Sequence, residues 1–70
     1  MEKSLARELM KHVLSLSAQL NLIIEKVETI PDEEERTEMR RHMGKMMQAS
    51  DAHLYRPLVK QYPDLDPLQQ

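Results

Sequence analysis

The chain has 70 residues, with ten basic and twelve acidic side chains for a net charge of −2, three histidines, six methionines and no cysteine. So short a chain makes one domain near the lower limit for a self-sufficient core, and the missing cysteines exclude disulfides and thiolate metal sites as reinforcement. The near-neutral charge gives no long-range pull on nucleic acid or anionic lipid, which leaves oligomerisation as the usual source of extra stability.

One regular stretch dominates the first half. Leu9, Val13, Leu16, Leu20, Ile23, Val27 and Ile30 follow one another in steps of four and three, the spacing of a coiled-coil seam. No Pro or Gly interrupts the chain before Pro31, so the pattern predicts a helix over 4–29 with Ser4 as its N-cap. Met10 and Ile24 widen the seam, whereas Leu14 and Leu22 fall at b and c of its heptad. A helix apolar on more than one face is buried on more than one face, so Leu14 and Leu22 predict a second neighbour. Met1-Glu2-Lys3-Ser4 is not followed by an apolar signal core, and the longest apolar run, Leu22-Ile23-Ile24, is too short to cross a bilayer. The expectation is a cytoplasmic protein with no membrane partner.

Pro31 disfavours helix at Ile30 and ends the first rod. Asp32-Glu33-Glu34-Glu35 then reads as a capped helix start, with carboxylates at the positive end of the helix dipole. A connection of about two to four residues forces antiparallel helices. The second helix is expected over 33–56, with a kink at Pro57. It is Met-rich, carries Gly44 in its interior at a cost of about 1 kcal/mol relative to Ala, and offers Glu33–Arg36 and Glu38–Arg41 pairs on its solvent face. Residues 63–70 contain two prolines and two aspartates and are expected to be an extended tail, frayed at Leu68-Gln69-Gln70.

The predicted fold is therefore all-α: an antiparallel two-helix hairpin over 1–62 followed by a tail over 63–70. One helix–helix interface covers only part of this apolar surface, and isolated helices are marginal in water. A homodimer or higher oligomer, with two hairpins forming a four-helix bundle, gives each helix two neighbours. Its interface would draw on Leu9, Val13, Leu14, Leu16, Leu20, Leu22, Ile23, Ile24 and Val27 of the first helix. From the second it would draw on Met39, Met43, Met46 and Met47.

Catalytic machinery is missing from the pattern. There is no cysteine nucleophile, Gly-rich phosphate loop, G-x-S-x-G or H-E-x-x-H, and no cofactor is expected. Met39, Met43, Met46 and Met47 read first as core, then as an adaptable partner surface. With His42 among them, thioether and imidazole ligands also suit Cu(I). Helix pairing brings His12 and His53 within about a turn of each other beside Glu8 and Asp51. That is a candidate metal site or a protonatable polar layer in an interface. The metal candidates are thus His12, His53, His42, Met43 and Met46. Arg36, Arg40, Arg41 and Lys45 make a basic patch, but Glu33 to Glu38 lie beside it and no stacking aromatic accompanies it, so it reads as a salt-bridged face rather than a nucleic-acid reader.

Tyr55, Leu58, Tyr62 and Leu65 put both aromatics of the chain into its last part. Either this segment folds back to cap the open end of the hairpin, or it is displayed to another protein. Arg56-Pro57-Leu58-Val59-Lys60-Gln61-Tyr62-Pro63-Asp64-Leu65-Asp66-Pro67, after a helical hairpin, resembles the end of short uncharacterised bacterial helical-hairpin proteins. The resemblance implies a helical domain and no particular activity. The functional expectation is a small non-catalytic interaction or regulatory module acting as a homo-oligomer. A metal or ligand carrier using Met and His, and a nucleic-acid-associated factor, are the alternatives.

Overall fold

The computed structural model describes residues 1–67; the fraying expected at Leu68-Gln69-Gln70 lies outside the described residues. Within them every regular element is helical. Helix α1 (Lys3–Val27) starts from Glu2 in an extended conformation, with no side chain capping it, so Ser4 sits inside the first turn rather than at the cap. At the other end the Thr29 hydroxyl donates to the Lys26 carbonyl at 2.6 Å, and the Ile30 N–H to the Val27 carbonyl at 3.1 Å. Carbonyls that the terminating helix leaves over are thereby satisfied. Asp32 caps helix α2 (Glu33–Ser50) as its sequence implies, accepting from the Glu35 N–H at 2.8 Å. Two arginines then pin the turn: Arg36 donates to the Ile30 carbonyl at 2.8 Å, and Arg40 grips Glu28 with two hydrogen bonds of 2.6 and 2.5 Å.

The face of α1 turned to the second half of the chain is Ala6, Met10, Val13, Ser17, Leu20, Ile24, Val27. Each of these is buried or half-buried, and the steps are again four and three. It shares Val13, Leu20 and Val27 with the expected seam and replaces Leu9, Leu16 and Ile23 by Met10, Ser17 and Ile24. Leu20 and Val27 pack with Met43, flanked by Ile24, Ile30 and Met47. Ala6, Met10 and Val13 pack with Leu58 and Leu65.

The second half does not stop at Ser50. The backbone continues through a π-helical turn (Asp51–Tyr55), where the Arg56 N–H reaches the Asp51 carbonyl, into helix α3 (Arg56–Gln61). The reason lies in the spacing of the buried positions. Met43, Met47 and Ser50, then Tyr55, Leu58, Tyr62 and Leu65, face inward, with steps of four, three, five, three, four and three. An α-helix tolerates threes and fours on one face; the five needs one extra residue per turn, which a π turn supplies. Pro57 falls in the first turn of α3, directly after the π turn. The kink expected at Pro57 is thus a π turn just ahead of it, and the helix carries on to Gln61.

Residues 63–67, expected to be extended, begin with a 3-10 turn (Pro63–Leu65) whose Leu65 is buried against α1. The Tyr62 hydroxyl donates to the Met1 carbonyl at 2.7 Å and the Tyr55 hydroxyl to Asp66 at 2.6 Å. Lys3 pairs with Asp64 at 2.5 Å and lies 6.0 Å from the Tyr62 ring centroid. The last part of the chain therefore folds back over the open end of the hairpin. Leu58 and Leu65, named above as candidates for display to a partner, are buried within their own chain, and Tyr55 and Tyr62 are half-buried with their hydroxyls engaged.

Candidate interaction surface

On an α-helix one residue back is a rotation of about 100°. One step back from the inward stripe of α1 lies a second stripe, Leu5, Leu9, His12, Leu16, Gln19, Ile23, Lys26, again in unbroken steps of four and three. One step back from Met43, Met47, Ser50 and Tyr55 lie His42, Met46, Ala49 and Leu54, and the same spacing of four and three continued toward the turn adds Met39 and Glu35. Because the two helices run antiparallel, both second stripes rotate to the same side of the hairpin. A depression lined by Leu9 and Val13 from α1 and by His53, Leu54, Pro57 and Leu58 from the second half joins them. Leu14, Ser17, Met47, Ser50, Asp51 and Tyr55 line a depression of their own, on the opposite broad face by the same rotation.

The second stripes are apolar and uncovered. Leu9, Leu16, Ile23, Met39 and Met46 are 37–53% exposed, and Leu5 and Leu54 are exposed beside them. This revises the expected interface in two ways. Val13, Leu20, Val27 and Met43 are buried inside the hairpin, with Ile24 and Met47 packed against them, so they are already used within the chain. Leu14 and Leu22 are exposed but lie elsewhere: Leu14 faces the opposite broad face, and Leu22, two steps back from Ile24, points away from the hairpin. The uncovered apolar side is marked by Leu9, Leu16 and Ile23, residues whose spacing suggested burial in the hairpin seam. Their exposure was hidden by Val13, Leu20 and Val27, which the expected seam and the inward stripe share.

Met43 is buried while Met46 is exposed, so these two thioethers face different surroundings. His42 lies 3.6 Å from Glu38. His12 lines a shallow depression with Glu8 and Lys11, and His53 one with Lys45, Gln48, Ala49 and Ala52. Among the described residues no group of three His, Asp or Glu side chains is placed to hold a metal. In the basic patch, Arg36 and Arg40 are committed to the turn and Arg41 pairs with Glu38. The Glu28 carboxyl is held below the usual carboxylate range by the Arg40 hydrogen bond and its charge, while Arg40 is raised in return. At the capped end, Lys3 lowers Asp64, and the Asp66 carboxylate accepting from Tyr55 raises that phenol. These contacts serve the fold.

Gly44 has nothing within 4 Å of where a Cβ would stand, so no close approach within the chain calls for glycine there. No described helix is long and apolar enough to cross a membrane. No family model, curated protein or solved structure matches the chain.

Proposed function

We propose that the protein is a small non-catalytic interaction module that works as a homo-oligomer, its hairpins associating into a helical bundle. The observation that carries this reading is the second pair of apolar stripes, uncovered along one side of the hairpin. In a four-helix bundle each helix packs along two stripes about a quarter-turn apart, and α1 has both in its sequence while its own chain covers one. A monomer would leave Leu9, Leu16, Ile23, Met39 and Met46 in water. With 37–53% of each still exposed, completing their burial is worth about 1 kcal/mol apiece.

Sedimentation equilibrium of the full chain tests this. The expected result at micromolar concentration is a mass at least twice the 8.3 kDa of one chain. A stable 8.3 kDa species across that range overturns the proposal.

A further inference from the structure

All three histidines of the chain belong to the uncovered side. His12 lies in the second stripe of α1 between Leu9 and Leu16, His42 in that of α2 between Met39 and Met46, and His53, one residue before Leu54, lines the depression that joins the two stripes beside Leu9. The inward stripes have none. Beyond the histidines, these two stripes carry one cation and one anion, Lys26 and Glu35. A face balanced in charge, with apolar positions repeating every seven residues on both helices, accepts a second copy of itself without like-charge conflict. The molecule measures 46 × 19 × 16 Å, so its broad face is on the order of 800 Å², what one partner contributes to a standard-size interface.

We propose that the histidine-bearing face formed by Leu9, Leu16, Ile23, Met39 and Met46 is where a second copy of the chain docks, and that protonation of His12, His42 and His53 drives the copies apart. The first half rests on the self-association proposed above; the second adds its control. Imidazole is the side chain that changes charge between pH 5 and 8. Sunk between two hairpins among leucine and methionine, a neutral imidazole costs far less to bury than an imidazolium, which must be stripped of water. The charged neighbours do not cancel that cost. His12 has Glu8 and Lys11 beside it, one of each sign. His53 has Lys45 alongside, and Met1 across the depression commits its ammonium to Gln61 at 3.2 Å. His42 has Glu38 at 3.6 Å, but that carboxylate is already paired with Arg41. Protons therefore favour the separated hairpins.

The test is sedimentation equilibrium of the full chain at pH 8.0 and pH 5.5, beside the triple variant His12→Gln, His42→Gln, His53→Gln. The wild type is expected to weaken at least tenfold in its association constant at the lower pH, and the triple variant to lose that response. Circular dichroism records whether the separated hairpins stay helical; the triple variant decides in either case. If it fails to assemble, the single His→Gln variants replace it, each expected to remove part of the response. Leu16→Glu is expected to abolish assembly at pH 8.0 and Leu14→Glu to leave it intact. Association equal at both pH values, or a pH response kept by the histidine variants, overturns the control. Assembly that survives Leu16→Glu and fails with Leu14→Glu overturns the choice of face. A monomer at pH 8.0 overturns this proposal and the function above together.

Discussion

Leu20 and Met43 meet in the turn-side half of the hairpin, both buried in one small cluster, and a core this thin has little room to collapse around a hole. Leu20→Ala is expected to cost about 2–5 kcal/mol, read as a lowered midpoint in denaturant. Leu16→Ala removes an exposed side chain, so its cost should grow with protein concentration if hairpins associate and stay constant if they do not. At the turn, Arg40 holds the Glu28 carboxyl below its ordinary range. A carboxylate depressed in the folded state stabilises it above the unfolded-state value, and that contribution is lost as pH falls through the lower folded value. Glu28→Gln should therefore flatten the decline in stability on acidification from the ordinary carboxylate range downward, measured as denaturation midpoint against pH. Residue by residue, Val13, Leu20 and Val27 were legible as core because they stand at the centre of both overlapping stripes. Leu9, Leu16 and Ile23 were not legible as exposed. Leu9 and Leu16 are more apolar than their rivals Met10 and Ser17, Ile23 matches Ile24, and sequence alone does not say on which side of the shared residues the partner helix lies.

At the level of elements, the turn was readable in detail, since Pro31, Asp32 and the glutamates each act within a few residues. The bend in the second half was only half readable. Pro57 marked the place, but the five-residue step from Ser50 to Tyr55 is the actual signal, visible once Tyr55, Leu58, Tyr62 and Leu65 are taken as one buried stripe. The π turn sets the azimuth of everything after it. Deleting Ala52 removes the extra residue and rotates α3 by about 100° relative to α1, carrying Leu58 and Leu65 out of their cluster. The expected outcome is a lowered thermal midpoint and new protease cleavage after residue 55. An unchanged midpoint would mean the π turn is not what places the cap.

For the whole molecule, helical class and hairpin topology follow from local rules that sequence carries well: period, caps and breakers. The tail did not, because whether Leu65 covers a bundle or faces a partner depends on what lies across from it, and Ala6, which makes room for it, is silent in any hydrophobic pattern. Ala6 has no exposed surface. Ala6→Leu is expected to overpack this end, costing about 1–3 kcal/mol and exposing the tail, with hydrogen exchange at residues 62–66 as the measurement.

The fold-back of the tail also bears on the order in which the molecule assembles. The cluster near the turn joins Leu20 to Met43, while the capped end joins Ala6 to Leu65, a far longer excursion along the chain. Closing the longer loop from an unstructured chain costs about 0.8 kcal/mol more in entropy. The turn-side cluster is thus the natural nucleus, with contacts zipping away from Pro31 until Leu65 drops onto Ala6 last. During synthesis the start of α1 must wait, its apolar residues uncovered, until the chain has been made past Leu65.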